Sequence, residues 1–395
     1  MSKSIKYYYR YITLLLFLSA HFFGFSQKQC LKNLSKKEFD LAFECATQKI
    51  DKHPNDIYLN FVLASVKSNR NNKHYEIYNA YDFIIKTKKT YNNTIENDKE
   101  KIRKAFVKMH YDTNFINQAI HEICTKALDD VKIKNTIDDY EKYINTIDVI
   151  EFNKKAVLLR NELAFDIAVK KNTIFSFNFF IKKYPYSAQI NEAVKLRNEL
   201  AFNKAKEINT VQSFQNFIDT YPNTSKIAYA KKLRNELAFN KAKEINTVGS
   251  FQVFIDTYPK ANEVEKAINL RNELAFKKVK ETNTINAYNE YIITYPNSIL
   301  KDSAKNIIYN IAFKEIEDEN YNWGKYKRYY EKYPSSPYSE IALEKYKKYY
   351  FLFNTATNDG FSFISFIEKN PTNEYTQMAI DSVYQIGKRN KDLIL

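Results

Sequence analysis

The residues best suited to chemistry lie between His110 and Cys124. His110, Asp112, His121, Glu122 and Cys124 bring three kinds of metal ligand into one stretch, and His121 and Cys124, three positions apart, share a helix face. The set is incomplete, because His121-Glu122 lacks the second histidine of a zinc-peptidase helix. Asp129-Asp130 and Asp138-Asp139 are paired carboxylates of the kind used in acid–base catalysis. Both pairs are expected at helix starts, where the backbone dipole favours anions without any catalytic role. Phosphate loops and nucleophile elbows need clustered glycines, and the five here (Gly24, Gly249, Gly324, Gly360 and Gly387) are far apart. The pattern predicts no catalytic residue, no bound metal and no cofactor.

Two further groups of residues have types suited to binding. Trp323, Tyr326, Tyr329, Tyr330 and Tyr346 crowd one stretch, and Trp323 is the chain's single tryptophan. Flat apolar rings with polar tips suit protein hot spots and sugar platforms alike, so these five form a candidate binding patch. The sequence Arg-Asn-Glu recurs, and it reads either as a ladder of ligand-binding side chains or as a solvated stripe tied by salt bridges between neighbouring units. The second reading is the expected one.

The elements that carry these residues are helices. Five glycines and eight prolines in 395 residues leave too few turns for a β-rich fold, and 44% hydrophobic residues are ample for a continuous core. Leu-Arg-Asn-Glu-Leu-Ala-Phe begins at Leu159, Leu196, Leu233 and Leu270, each 37 residues after the last, and continues in degenerate form from Ile307 to Phe313. Asn135, Asn172, Asn209, Asn246, Asn283 and Asn320 keep the same period, and Asn358 follows one residue late. Pro185, Pro222, Pro259 and Pro296 do likewise, followed by Pro334 and Pro371. Seven tandem units are therefore predicted over residues 127–395.

One unit shows the physics. Thr210 is placed to cap a helix whose apolar face is Val211, Phe214, Phe217, Ile218 and Tyr221. Pro222 stops it, having no N–H to donate. Asn223, Thr224 or Ser225 is expected to cap a second helix, with Ile227, Ala230, Leu233, Leu237, Ala238, Ala242 and Ile245 as its stripe. Asn246 then supplies the left-handed residue that ends it. The series Phe165, Phe202, Phe239, Phe276 and Phe313 is predicted to be core. A lone hairpin cannot bury both stripes, so the units must stack.

Phe-Ile-Asp-Thr-Tyr-Pro-Asn-Thr-Ser (217–225) and Ile292-Ile293-Thr294-Tyr295-Pro296-Asn297-Ser298 resemble the end of helix B and the inter-repeat turn of tetratricopeptide repeats. The likeness is greatest to variants in Gram-negative envelope proteins, and a more ordinary version of the repeat runs from Glu38-Phe39 through Ala42, Ala46 and Ile50 to His53-Pro54-Asn55-Asp56, followed by Tyr58. The unit is longer than the usual 34 residues, and Asn-Thr replaces a glycine-containing turn. The resemblance implies an all-α, right-handed superhelical α-solenoid of antiparallel hairpins whose groove holds protein partners. Residues 27–126 are expected to form a degenerate helical region of the same type, with helices near 35–51, 56–69, 73–90, 96–110 and 113–126 and a loop at Tyr91–Thr94.

The N-terminus has the layout of a secretory signal. Lys3, Lys6 and Arg10 precede an apolar stretch from Tyr11 to Phe25, with Gly24 and Ser26 as small residues before a cleavage site. Residues 1–26 are predicted to be removed, and Tyr11–Phe25 is short of the about 20 residues a spanning helix needs. Cleavage leaves 58 basic and 46 acidic residues, a charge of +12 against +15 for the whole chain. The lysines alternate with acids, so no nucleic-acid partner is expected. In an oxidising compartment Cys30 and Cys45 are the expected disulfide. The sequence thus predicts an exported, non-enzymatic protein-interaction scaffold, periplasmic or outer-membrane-associated in a Gram-negative bacterium. The alternative is a carbohydrate- or cell-wall-binding protein using the Tyr/Trp-rich units.

Overall fold

A computed structural model describes residues 27–317 and 322–392, and every regular element among them is an α-helix. The predicted export segment, residues 1–26, and Asn320 lie outside the described residues. Two compact units divide the chain, Met1–Ala201 and Phe202–Leu395. The first holds α1 (27–35), α2 (Phe39–Ile50), α3 (Ile57–Lys67), α4 (Ile77–Asn93), α5 (Glu96–Lys108), α6 (Phe115–Lys134), α7 (Ile137–Thr146), α8 (Ile150–Lys171) and α9 (Ile174–Lys183). The division falls within α10 (Ile190–Ile208). The second holds α11 (Val211–Thr220), α12 (Ile227–Ile245), α13 (Val248–Thr257), α14 (Val264–Thr282) and α15 (Ile285–Thr294). There follow α16 (Lys301–Lys314), α17 (Trp323–Lys332), α18 (Ser339–Asn354), α19 (Gly360–Lys369) and α20 (Thr376–Asp392).

At the N-terminal end α3 is apolar on every side (Leu59, Phe61, Val62, Leu63, Ala64 and Val66 are all buried), so it must be surrounded. It packs on α2 and α4, and Phe61 meets Phe106, Tyr111 and Phe115 edge-on. The predicted disulfide is present: Cys30 on α1 is bonded to Cys45 on α2. Three sequence expectations change here. An additional helix, α1, precedes the first one predicted. Tyr91–Asn93 is not a loop but the last turn of α4, with the Thr94 hydroxyl donating to the Thr90 carbonyl. Finally, α6 runs unbroken across residue 126, which places Asp129-Asp130 in the helix's C-terminal half and not at a start.

From Asn135 onward the packing is a recurring helix hairpin. Asn135, Asn172, Asn209, Asn246 and Asn283 all take the left-handed conformation, with φ between 47° and 51°. Each is followed by a threonine that caps the next helix. Thr173, Thr210 and Thr247 accept from the backbone N–H of Ser176, Ser213 and Ser250 at 3.0 Å, and each serine hydroxyl accepts in return from the threonine N–H. Ser213 Oγ also donates to the Ala205 carbonyl and Ser250 Oγ to that of Ala242, a second bond on carbonyls that already accept from the Asn209 and Asn246 N–H groups. Two residues thus end one helix and start the next.

The capping of the longer helices differs from expectation. Lys226, in helical backbone, precedes α12 and makes no side-chain cap bond. The turn after Pro222 is closed by main-chain bonds, Ile227 N–H to the Thr224 carbonyl and Ala230 N–H to that of Lys226, and of the expected caps the Thr224 hydroxyl accepts from the Lys226 N–H at 3.4 Å, just ahead of the helix. Ile245, predicted on the buried stripe, is 55% exposed, and Phe239 takes the core position. Phe202, Phe239, Phe276 and Phe313 are buried as predicted, with Phe165 packed against the neighbouring core.

Asn246→Ala is expected to cost about 1–2 kcal/mol, since only glycine and asparagine adopt the left-handed turn readily. Asn246→Gly should be neutral or better. Chemical denaturation distinguishes them, and equal stability of the two variants would contradict the role assigned to the turn.

Candidate functional site

The histidine–cysteine stretch does not assemble. His110 sits exposed in a left-handed turn after α5, whereas Cys124 is fully buried on α6. His121 packs edge-on against Phe152, and Glu122 pairs with Lys126 at 3.7 Å. Among the described residues no three His, Cys, Asp or Glu side chains are grouped to hold a metal. Of the carboxylate pairs, Asp129, Asp130 and Asp139 are engaged, Asp129 with Lys132 at 3.6 Å. Asp130 binds Arg70 at 2.7 Å and accepts from the Tyr75 hydroxyl. Asp139 lies below the usual carboxylate range, held there by the Thr136 hydroxyl and then by Lys134.

Burial pushes the Cys124 thiol from 9.0 up to about 12, and burial does the same first of all to Tyr58, Tyr75 and Tyr111. Folded values above the unfolded ones mean full stability below the ordinary thiol value, lost as pH rises through the window from about 9 to 12. Unfolding midpoints should therefore fall across that window, and iodoacetamide should label Cys124 only after unfolding. Rapid labelling of the native protein at neutral pH would show the thiol to be accessible.

The aromatic patch separates into two layers. Tyr326 and Tyr329 are buried, and the Tyr329 hydroxyl donates to the Tyr309 carbonyl and lies 2.6 Å from Ser336 Oγ. Tyr291 repeats the arrangement with Asn272 and Ser298. These tyrosines occupy the positions of Phe217 and Phe254 in neighbouring hairpins, each hydroxyl provided with a buried partner. Trp323, Tyr330 and Tyr346 are half-buried. Trp323 lies at 44° to Tyr346 and at 79° to Tyr350, with Phe353, itself 66% exposed, on a third side. The tryptophan is thus wedged among crossed rings, which present no broad common plane.

The Arg-Asn-Glu series is neither a free ladder nor a solvated stripe. Asn161, Asn198 and Asn272 are buried, and each accepts from Nε and Nη2 of the preceding arginine at 2.9–3.3 Å. Arg234 Nη1 donates to Gln215 and Arg271 Nη1 to Gln252, both at 2.6 Å, while Arg234 stacks on Tyr258 and Arg271 on Tyr295. Arg234 and Arg271 thus each join two helices to the residue that ends a third in the neighbouring hairpin, the task assigned from sequence to inter-unit salt bridges. Their donors are committed internally, and the ion pair of Glu236 is with Lys232 on its own helix.

What the hairpins leave open is a cleft between successive short helices. In the first unit Ile137 of α7, Ala164, Ile167 and Ala168 of α8, and Phe175 and Phe179 of α9 enclose about 380 Å³. In the second, Val211 of α11, Ala238 and Ala242 of α12, and Gly249 and Val253 of α13 enclose about 470 Å³ at corresponding positions. Alanines in the last turns of the long helix create the space, because no side chain there reaches across. The sequence showed these alanines as part of a core stripe and gave no sign that a cleft lay above them. No helix among the described residues is long and apolar enough to cross a membrane. No protein-family model matches this chain, and no curated protein matches it in sequence.

Proposed function

We propose that the chain is a non-enzymatic, exported scaffold that holds protein partners along its stacked hairpins. In this reading the hairpins of each unit follow the right-handed superhelical path of tetratricopeptide arrays, and the protein works in the periplasm or at the outer membrane of a Gram-negative cell. The observation that carries it is the cleft recurring at equivalent positions in the two units, lined mainly by apolar side chains. A surface repeated in this way suits extended recognition, whereas an active site needs one unique arrangement. The Cys30–Cys45 disulfide supports export, since such bonds persist in oxidising compartments.

The test is crosslinking of the full chain in its native envelope, followed by reconstitution with each crosslinked protein. Expected are crosslinks from the α7–α9 and α11–α13 clefts to one or a few proteins, and a mature N-terminus at Gln27. Crosslinks confined to glycan or lipid, or retention of residues 1–26 in a cytoplasmic pool, would overturn the reading.

A further inference from the structure

The short helices are close variants of one another, so a departure at one position can be read against its neighbours. The second and sixth residues of these helices are Asp138 and Lys142 in α7, Gln212 and Asn216 in α11, Gly249 and Val253 in α13, and Asn286 and Glu290 in α15. In α9 they are Phe175 and Phe179, which are 80% and 57% exposed. The remaining short helices carry Gly324 and Arg328 in α17 and Phe361, 83% exposed, with Ser365 in α19, so the hairpin does not require aromatics there and only α9 among the described short helices has two. Two large rings facing water on adjacent turns are unfavourable for the isolated chain and favourable only where something covers them.

The charge around the cleft indicates what that is. Lys171 and Lys183 line it and no acidic side chain does. Lys183 pairs with Glu141 at 3.1 Å, and Lys171 makes no ion pair among the described residues. The corresponding cleft over α13 has one lysine, Lys241, with Gly249 and Val253 where Phe175 and Phe179 stand.

We propose that the α7–α9 cleft docks a segment of a protein partner in which bulky apolar side chains stand next to Asp or Glu. The apolar side chains lie between Phe175, Phe179 and Ile167, over the alanine floor, and the acids meet Lys171 and the outer edge of Lys183. A slot of about 380 Å³ accepts side chains and not a whole domain. The inference rests on the scaffold reading and gives it a place and a partner chemistry.

The probe is a phage-displayed random peptide library panned on the full chain, with enriched peptides measured by fluorescence anisotropy. Expected is a consensus of Leu, Phe or Trp beside Asp or Glu. The F175Q/F179N variant, which carries the residues of α11 and so keeps the fold, should bind these peptides about 30-fold more weakly or worse, with an unchanged unfolding midpoint. K171E should weaken them about 5-fold, more at low salt. Peptides that bind F175Q/F179N as well as the wild type would overturn this inference and leave the scaffold reading standing. Absence of any enriched peptide would count against both. Phe175-dependent sedimentation with anionic phospholipid vesicles, without peptide binding, would replace the protein segment by a membrane surface.

Discussion

Phe251→Ala is expected to lower the unfolding free energy by about 3–5 kcal/mol. Phe251 is completely buried, packed against Phe239 at 6.3 Å in the cluster that also holds Phe254 and Ala267. Removing the ring deletes its transfer energy and leaves a void that the neighbouring helices cannot fill without breaking the Thr247–Ser250 cap one turn away. In stacked hairpins each joint depends mainly on its immediate neighbours, so the damage should be local before it is global. Guanidinium unfolding should show a broadened or split transition, and limited proteolysis should cut first near residues 246–262. Phe175→Ala is the internal control, a ring of the same size lost from an exposed position, and should cost little. A loss below about 1 kcal/mol for Phe251→Ala would mean that this cluster is not what holds the hairpin.

The second large effect is expected at the other end of the chain. Cys30 and Cys45 close a loop of sequence separation 15, for which chain-entropy reasoning gives about 3 kcal/mol. The bond ties α1 to α2, and Cys30 lies wholly inside a core that includes Leu31 and Leu34. C30S/C45S, or reduction of the wild type, should lower the unfolding midpoint and raise amide exchange in residues 27–50. Residues 202–392, a separate compact unit, should exchange as before. Unchanged exchange in α1 would show that packing alone holds it.

The hairpins were legible in the sequence because their determinants are local. Asn246 and Thr247 stop one helix and start another by their own backbone preference and side-chain reach, and Pro222 acts through its missing donor. Features that depend on distant residues were not legible. Asp130 looked like a helix-start acid until Arg70 and Tyr75 arrived from 60 and 55 positions away. The Arg234 guanidinium looked solvated because its partners, Gln215 on α11 and Tyr258 just after α13, stand 19 positions before and 24 after it. The aromatic patch divided for a similar reason: spacing put Tyr326 and Tyr329 on one face of α17, and only the packing of α18 decides that this face is inward. The cleft at Phe175 was hidden because a pattern of apolar residues does not say which of them lack a neighbour.

The arginine bridges bear on how such a chain can change in length. Arg234 reaches back 19 residues to Gln215, and Arg271 reaches back 19 to Gln252. Excision of the stretch from Gln215 through Phe251 would therefore leave Arg271 in front of Gln252 with both of its partners intact, and insertion of a copy would supply a new matched pair. Loss or gain of whole 37-residue stretches can therefore shorten or extend the protein without leaving an unmatched joint. The number of hairpins is thus open to selection separately from the stability of any one of them.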